Sequence, residues 1–286
     1  MATSLEIQAQ PAECEKHGAF ESRRFARTVW SRCPACLDEE RDAAEAAREA
    51  AREAQKHAAR EDRIRGLRAD SGLVGRQLQS SFDNFATPHK GQADILQFCR
   101  DYVGQFQREG NAVTCPSGGV WLLGPPGCGK SHLGASMVLH LIDTLATPAY
   151  MLSVREIVRL LRSTWSKENP PQTRGYPTEA GGYVMPQTLT EEMVIERLGG
   201  AALLVIDEIG VGFGSEAELV QLFDVLDLRY RNELPTVLLS NSQASEIKHV
   251  LGDRLYDRLR EGSIAKACTW PSYRGEFSRL QGQKAA

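Results

Sequence analysis

The segment Gly124–Ser131 combines the residue types of a phosphate-binding loop. It has the sequence Gly-Pro-Pro-Gly-Cys-Gly-Lys-Ser, which matches the pattern G-x-x-x-x-G-K-[S/T] at every fixed position. Glycines allow backbone N–H groups to wrap phosphate oxygens, and a helix that follows adds the positive end of its dipole. Lys130 is therefore expected to reach the β- and γ-phosphates of ATP, and Ser131 to bind Mg²⁺. The predicted nucleotide-binding residues of this segment are Gly124, Pro125, Pro126, Gly127, Cys128, Gly129, Lys130, Ser131 and His132.

A pair of carboxylates follows a second apolar run. Leu203–Ile206 has the composition of a buried strand, and Asp207 and Glu208 come directly after it. In such a pair the first carboxylate lies behind the Mg²⁺ ion, and the second polarises the water that attacks the γ-phosphate. Asp207 is therefore a predicted magnesium residue and Glu208 a predicted catalytic residue. The alternative is a buried strand that ends in surface acids, but the pair favours a hydrolase over a small-molecule kinase.

Two pairs of metal-binding residue types lie near the N-terminus. They are Cys14-x-x-His17 and Cys33-x-x-Cys36, and two such pairs can hold one Zn²⁺ ion tetrahedrally. Four protein ligands leave no open position, so the predicted role of the metal is structural. The alternative is a set of unrelated free thiols. The total of seven cysteines, an odd number, fits metal binding better than a disulfide framework.

These residues need elements to position them, and the apolar pattern predicts an alternation of strands and helices. Strands are expected at 119–123, 149–153, 202–206, 235–240 and 264–269. Helices are expected at 92–106, 130–145, 154–166, 189–198 and 215–231, with short helices over 243–261. This alternation predicts an α/β fold with a five-stranded parallel sheet covered on both faces. Residues 167–187, which are rich in proline and glycine, are predicted to form a surface insertion.

The composition divides the chain into three predicted parts. Residues 1–36 form a small zinc-binding module, 37–70 a charged helical arm or linker, and 71–286 the ATPase domain. The arm is rich in alanine, glutamate and arginine at i,i+4 spacing, which supports a helix in isolation. Two interpretations of the arm stay open: a solvated spacer, or a helix that docks on a partner.

The overall charge and hydrophobicity exclude some classes of protein. The chain has 286 residues, a formal net charge of −3 and 42% hydrophobic residues, a balance typical of globular proteins. Because the chain is not basic overall, any contact with nucleic acid must be local or built by assembly of several subunits. No run of about 18 apolar residues predicts a membrane span, and the first residues lack the basic and apolar regions of a signal peptide. A cytoplasmic location is expected.

Further segments resemble one protein family. They are Ile209-Gly-Val211, Pro235-Thr-Val-Leu-Leu-Ser-Asn241, Leu251-Gly-Asp-Arg-Leu-Tyr-Asp-Arg-Leu-Arg260 and Trp270-Pro-Ser-Tyr-Arg274. Together with the two nucleotide motifs, these segments resemble the DnaC-type replicative helicase loaders. That group is a branch of the AAA+ P-loop ATPases, which also includes the IstB-type transposition helpers. The resemblance covers residues 70–278.

The resemblance implies roles for three more residues. Asn241 corresponds to sensor 1, which places the attacking water, and Arg258 to the arginine finger that reaches the ATP of a neighbouring subunit. Arg254 on the same predicted helix is the alternative finger. Arg274 corresponds to sensor 2. Only residues 275–286 follow it, so a full C-terminal lid is expected to be absent.

The resemblance also implies a function and partners. An ATP-dependent loader places a hexameric replicative helicase on single-stranded DNA, and ATP-bound subunits assemble into a ring or spiral. The N-terminal module is expected to dock the helicase. The alternatives are an IstB-type helper of transposition, an adaptor that binds ATP without hydrolysing it, and a metabolic P-loop kinase. Phe213, Lys167 and Arg174 are the candidate DNA contacts.

Overall fold

A computed structural model describes residues 8–26, 29–110, 112–166, 168, 170–177, 183–209 and 216–273. Contacts divide the chain into two compact units, one up to Ala59 and one from Arg60 onward. No helix within the described ranges is both long enough and apolar enough to cross a membrane.

The first unit contains a three-stranded antiparallel sheet. Its strands are β1 (Ala9–Cys14), β2 (Gly18–Ala26) and β3 (Val29–Trp30), in the order β1-β2-β3. A tight turn joins β1 to β2, so that Cys14 and Gly18 are paired across the hairpin. Gly18 has a φ of +75°, which a residue with a side chain adopts only at a cost. This turn holds Cys14 and His17 close together.

The helix α1 extends from Pro34 to Asp70 and begins directly after Cys33. It therefore begins three residues before the predicted arm, 37–70, and ends where that arm was predicted to end. It ends shortly before Gly72, whose φ of +82° does not continue a helix. None of its residues is buried, as expected for a helix whose stability comes from alanine propensity and charged pairs.

The second unit contains the remaining elements. The helices are α2 (Lys90–Val103), α3 (Lys130–Leu145), α4 (Val154–Ser163), α5 (Glu191–Gly199), α6 (Glu216–Arg231) and α7 (Ala244–Arg260), with a 3₁₀ turn at Gly75–Gln79. The strands are β4 (Gln107–Glu109), β5 (Ala112–Thr114), β6 (Val120–Leu123), β7 (Ala149–Ser153), β8 (Tyr176–Pro177), β9 (Tyr183–Val184), β10 (Leu203–Asp207), β11 (Thr236–Ser240) and β12 (Ile264–Ala267).

Five of these strands form one parallel sheet in the order β12-β6-β11-β10-β7. Alternate side chains of each strand enter different hydrophobic clusters: in β10, Val205 lies in one cluster and Leu204 in the other. Helices α2 and α3 contribute to the first cluster, and α4 to α7 to the second. The prediction of a five-stranded parallel sheet covered on both faces is confirmed.

Some elements differ from the predicted ones. The segment α7, by contrast, consists of two helical stretches that meet at Gly252, whose φ of +74° and ψ of +160° are not helical, in agreement with the short helices predicted over 243–261. The segment 167–187 contains the hairpin of β8 and β9, and a bridge between Gln172 and Thr188 lies outside it. The pattern did not predict the short hairpin of β4 and β5, because three-residue strands carry too few alternating positions to recognise.

The cation of Arg229 lies inside the second unit. This residue of α6 is 1% exposed and donates to the carbonyl oxygens of Leu198 and Ala201, each at 2.8 Å. It also donates to Thr236 Oγ1 at 3.0 Å and to the Pro235 carbonyl. Burial lowers the pKa of Arg229 to about 9, so the guanidinium is still charged at neutral pH. One side chain thus ties the end of α5 and the start of β11 to α6.

Arginines also surround the C-terminus of α3, where helix carbonyls lack partners within the helix. Arg60 donates to the carbonyl oxygens of Asp143 and Thr144, and Arg63 to that of Ala146. Arg108 of β4 donates to the carbonyl oxygen of Leu145 at 2.6 Å. Cations at this end also complement the negative end of the helix dipole. The last residues of α1 therefore hold the helix that follows the phosphate-binding loop.

Candidate nucleotide and metal sites

One cavity of about 360 Å³ brings most of the predicted nucleotide residues together, while Gly124, Pro125 and Cys128 do not line it. It lies where β6, β10 and β11 end, which is the edge of a parallel sheet where ligands usually bind. The lining residues are Pro126, Gly127, Gly129, Lys130, Ser131, His132, Asp207, Glu208, Leu239, Ser240 and Asn241. Residues from three separate parts of the sequence thus face one space.

Two glycines let the phosphate-binding loop adopt its conformation. Gly127 and Gly129 have φ angles of +81° and +97°. A Cβ atom on Gly129 would lie 2.6 Å from the ring of Phe85, and one on Gly127 would lie 2.0 Å from Ser272 Oγ. Helix α3 begins at Lys130, so its first backbone N–H groups lie beside the cavity.

Lys130 is the most constrained side chain of the cavity. It is 6% exposed, and its Nζ donates to the carbonyl oxygens of Gly124 at 2.8 Å and Pro125 at 2.9 Å. It also donates to Asn241 Oδ1 at 2.8 Å. Lysine has three N–H donors, and all three have acceptors here. The two residues predicted to contact the γ-phosphate, Lys130 and Asn241, are therefore in direct contact.

The carboxylate pair has an unusual backbone. Asp207 is the last residue of β10, and its Oδ1 accepts a hydrogen bond from the Glu208 N–H at 2.8 Å. Glu208 has a φ of +57°, the left-handed region, which costs a residue with a side chain about 1–2 kcal/mol. Such strain is frequent where a side chain must be aimed at a functional site. It places Glu208 beside Asp207 on the cavity wall.

The segment after β12 packs on the phosphate-binding loop. Trp270 Nε1 donates to the Cys128 carbonyl oxygen at 2.8 Å, and Tyr273 N–H to the Gly127 carbonyl oxygen at 3.0 Å. A hydrogen bond from the Cys268 thiol, together with the nearby Lys130 ammonium, lowers the pKa of Cys128 to about 6. Nothing in the sequence around Cys268 indicates this contact, which joins segments distant in the chain. Arg274, the predicted sensor 2, lies outside the described residues.

Arg258 lies at the other edge of the sheet. It borders a separate cavity of about 530 Å³, which Gly119, Thr236 and Ser263 also line. All three residues lie where strands begin: Gly119 precedes β6, Ser263 precedes β12, and Thr236 is the first residue of β11. The nucleotide cavity lies at the opposite ends of the strands, where β6, β10 and β11 end. Strands of four or five residues separate the two edges by roughly 15 Å. Arg258 therefore does not line the nucleotide cavity of its own chain.

The candidate DNA contacts have different outcomes. Phe213 and Lys167 lie outside the described residues, and Arg174 forms an ion pair with Asp70 at 3.5 Å.

A basic face on α4 was not among the predicted DNA contacts: Arg155, Arg159 and Arg162 recur at helical spacing and are exposed. Trp165 lies two residues after the end of α4 and is 58% exposed. Cations beside an exposed ring are the groups that bind single strands. The spacing was present in the sequence, but only the fold places these residues on the outer face of the helix.

The four predicted zinc ligands form one cluster, in which the ligand atoms all lie within 4.8 Å of one another. His17 Nδ1 lies 3.8 Å from Cys14 Sγ, 3.7 Å from Cys33 Sγ and 3.3 Å from Cys36 Sγ. Ligands of a tetrahedral Zn²⁺ with bonds of about 2.0–2.3 Å are separated by roughly 3.3–3.8 Å. The donor set and its spacing therefore fit a zinc ion.

The surroundings of the cluster also suit a metal. The backbone N–H groups of Lys16 and His17 lower the pKa of Cys14 to about 6, which favours the thiolate that binds metals. His17 Nε2 lies 3.1 Å from Glu39 Oε1, while Nδ1 points toward the sulfurs. A carboxylate on the outer nitrogen is the usual partner of a metal-binding histidine, because it fixes the tautomer and the ring orientation.

Comparison with known proteins found relatives of this chain, although no family model matches it. The replicative helicase loader DnaC of Escherichia coli K12 is 30% identical over 215 residues, which are 75% of this chain and 76% of that protein. The phage-like element PBSX protein XkdC of Bacillus subtilis is 23% identical over 255 residues, which are 85% of this chain and 77% of that protein.

Solved structures have the same fold. A crystal structure of the DnaC helicase loader matches 68% of this chain and 99% of its own length, with a TM-score of 0.53 and 15% identity. AMPPCP-bound DnaA from Aquifex aeolicus matches 72% of this chain and 55% of its own length, with a TM-score of 0.51 and 15% identity. Both have the parallel sheet and flanking helices of the AAA+ P-loop fold. On the identity and coverage of the sequence match, the chain belongs to the DnaC replicative helicase loader family.

Proposed function

We propose that this protein is an ATP-dependent loader that places a replicative helicase on single-stranded DNA when replication begins. The observation that carries the proposal is the gathering of Lys130, Ser131, Asp207, Glu208 and Asn241 in one cavity of a chain that belongs to the DnaC family. A phosphate-binding loop, a carboxylate pair and a polar residue on the neighbouring strand are the parts that ATP hydrolysis needs.

Each residue of the cavity has a proposed task. The loop N–H groups and Lys130 bind the phosphates, while Ser131 and Asp207 hold Mg²⁺, the cofactor that neutralises their charge. Glu208 accepts the proton of the attacking water, and Asn241 orients that water. The contact of Lys130 with Asn241 supports this division, since both side chains would meet the same γ-phosphate.

Hydrolysis in this proposal needs a neighbouring subunit. Arg258 lies at the opposite edge of the sheet from its own nucleotide cavity, a position that suits a cation acting on the ATP of the next subunit. An arginine supplied in this way stabilises the charge on the transferring phosphoryl group. ATP would thus join subunits into a ring or spiral. Arg254 stays the alternative finger, because it lies on α7 as well and its guanidinium is beside the same ring, Phe223, as that of Arg258.

Single-stranded DNA has a candidate surface on α4. Arg155, Arg159 and Arg162 supply cations for the phosphates, and Trp165 supplies a ring on which a base can stack. This local patch is compatible with a net charge of −3, because assembly would align copies of it along one strand.

The N-terminal module is proposed to dock the helicase, with Cys14, His17, Cys33 and Cys36 holding a structural zinc ion. The fit of the four ligand atoms to tetrahedral spacing supports the metal. The exposed first half of α1 supports a docking role, because its alanines from Ala43 to Ala58 are all exposed.

The test is mass photometry of the full chain with its cognate helicase, with and without ATP. A discrete complex of the hexamer with loader subunits is expected, and it should be lost when residues 1–70 are deleted. The nucleotide cavity should survive this deletion, so ATP binding by the truncated chain is the control for folding.

Two results would contradict the proposal. The first is the absence of any helicase complex although ATP binds normally. The second is ATP-dependent assembly on duplex DNA with no preference for single strands, which would favour the IstB-type helper of transposition.

A further inference from the structure

Arg258 already has a carboxylate and two aromatic rings as partners within its own subunit. It forms an ion pair with Asp227 of α6, and the two side chains are only 24% and 20% exposed. Its guanidinium lies 5.3 Å from the centre of the Phe223 ring and 5.2 Å from that of Tyr230. Stacking on two rings and pairing with a carboxylate define one orientation of the guanidinium. The residue is thus held in place and is not free in solvent.

The carboxylate of Asp227 is shared between two arginines. Its Oδ1 pairs with Arg258, and its Oδ2 accepts from Arg231 Nε at 3.0 Å, one turn later on α6. Both oxygens are therefore engaged, which keeps the carboxylate next to Arg258 in the free subunit. Arg254 and Arg260, on the same helix as Arg258, are exposed.

This pairing competes with the proposed trans contact. A guanidinium that binds a phosphate presents its N–H groups to the phosphate oxygens, and one of those groups is now directed at Asp227. A carboxylate left beside the contact would also repel the phosphate. The guanidinium has further N–H donors, but a phosphate bound to it would place a second negative charge next to Asp227, and the repulsion favours replacement of the carboxylate by the phosphate.

We propose that Asp227 is a positioning residue that retains Arg258 within its own subunit, so that assembly requires Arg258 to exchange this carboxylate for the γ-phosphate of the ATP in the next subunit. This inference rests on the proposed function of Arg258 as the arginine finger. As a consequence, assembly depends on bound ATP. Free subunits do not pair until the γ-phosphate of ATP replaces Asp227 as the partner of Arg258. Premature assembly without nucleotide is thereby suppressed.

The test compares variants of the full chain in ATP. Asp227→Asn keeps the side-chain size and removes the charge that holds Arg258. Sedimentation velocity gives the protein concentration at half-assembly, and a phosphate-release assay gives the turnover at saturating protein. We expect the half-assembly concentration to fall about two- to fivefold, the range of a partly exposed ion pair, while saturated turnover is unchanged. A merely structural role for Asp227 would raise the concentration and lower the unfolding temperature together.

Matched variants separate the causes. Asp224→Asn removes an exposed charge one turn earlier on the same helix and should leave assembly unchanged. Arg231→Gln removes the second partner of Asp227 but keeps the carboxylate charge, so it should lower the half-assembly concentration less than Asp227→Asn does. If Asp227→Asn unfolds, Tyr230→Leu loosens the hold on Arg258 without a change of charge and should shift assembly in the same direction.

Three outcomes would overturn the inference. An unchanged half-assembly concentration in Asp227→Asn means that the ion pair does not restrain assembly. A higher concentration or slower saturated turnover means that Asp227 orients Arg258 for the trans contact instead. Normal turnover in Arg258→Ala would show that Arg258 is not the arginine finger. That result concerns the proposed function and is distinguished from a failure of the inference about Asp227, because it is measured on the Arg258 variant alone.

Discussion

At the scale of single residues, Lys130 joins the parts of the nucleotide cavity. Its ammonium contacts the loop through Gly124 and Pro125 and the neighbouring strand through Asn241. Lys130→Ala should abolish measurable ATP binding, a loss of about hundredfold or more, because charge-assisted contacts to the phosphates disappear. Isothermal titration with ATP and Mg²⁺ measures this loss. Lys90→Ala, at an exposed position of α2, is the control. Undiminished affinity in the Lys130 variant would contradict the assignment of the phosphate-binding loop.

Trp165 is the residue on which the proposed DNA surface depends most. Stacking of a base on an aromatic ring contributes about 1–3 kcal/mol, so Trp165→Ala should weaken single-strand binding about tenfold or more. Fluorescence anisotropy of a labelled oligonucleotide in ATP gives the affinity. Tyr183→Ala is the matched control, since the ring of Tyr183 is 60% exposed and that of Trp165 is 58% exposed. Equal affinities for the two variants would exclude α4 as the DNA surface.

At the scale of elements, the N-terminal sheet has almost no core. Within the described residues up to Ala59, the buried side chains are those of Ser22 and Cys33. So small a core cannot offset the conformational entropy of folding, and a structural metal can supply the missing stability. The zinc site is therefore predicted to be necessary for the folding of the N-terminal sheet.

Removal of zinc by a chelator should therefore unfold β1 to β3 and leave the second unit folded. Hydrogen exchange followed by mass spectrometry is expected to show loss of protection in peptides from residues 8–33 and unchanged protection in those from 120–145. Binding of ATP should persist, because the nucleotide cavity lies in the other unit. A metal-free preparation that keeps full protection in residues 8–33 would contradict the zinc site.

At the scale of the whole molecule, one helix contributes to both compact units. The sequence predicts a boundary near residue 70, while the contacts divide the chain between Ala59 and Arg60. The difference comes from the last turns of α1, where Arg60 and Arg63 bind carbonyls at the end of α3 and Arg68 pairs with Asp143. These turns belong by composition to the charged arm and by contacts to the second unit.

Two truncated chains test this division. A chain that begins at Arg60 should unfold at the same temperature as the second unit of the full protein. One that begins at Ser71 also loses the three arginines that contact α3, each contributing about 0.5–1 kcal/mol, and should unfold about 5 °C lower. Differential scanning calorimetry measures both. Equal unfolding temperatures would show that α1 does not stabilise the second unit.

The local sequence pattern was enough to predict those parts of the molecule that depend on short segments of the chain. Glycine, lysine and serine at fixed spacing predicted the loop at Gly124–Ser131, and apolar runs predicted the five parallel strands within a few residues. The ligand pairs predicted one cluster of Cys14, His17, Cys33 and Cys36, which the structure brings together. Such features are predictable because a turn, a strand or a chelating pair depends on residues only a few positions apart.

The tertiary structure decided what depends on contacts between distant segments. The sequence placed Arg258 on a helix but could not show that Asp227 holds it, nor that it lies at the opposite edge of the sheet from Lys130. Likewise Arg229 has the composition of a surface cation, yet it is buried because carbonyls from α5 and the start of β11 converge on it. The physical reason is the same in each case: burial and pairing are properties of packing, which residue type and spacing along one segment do not contain.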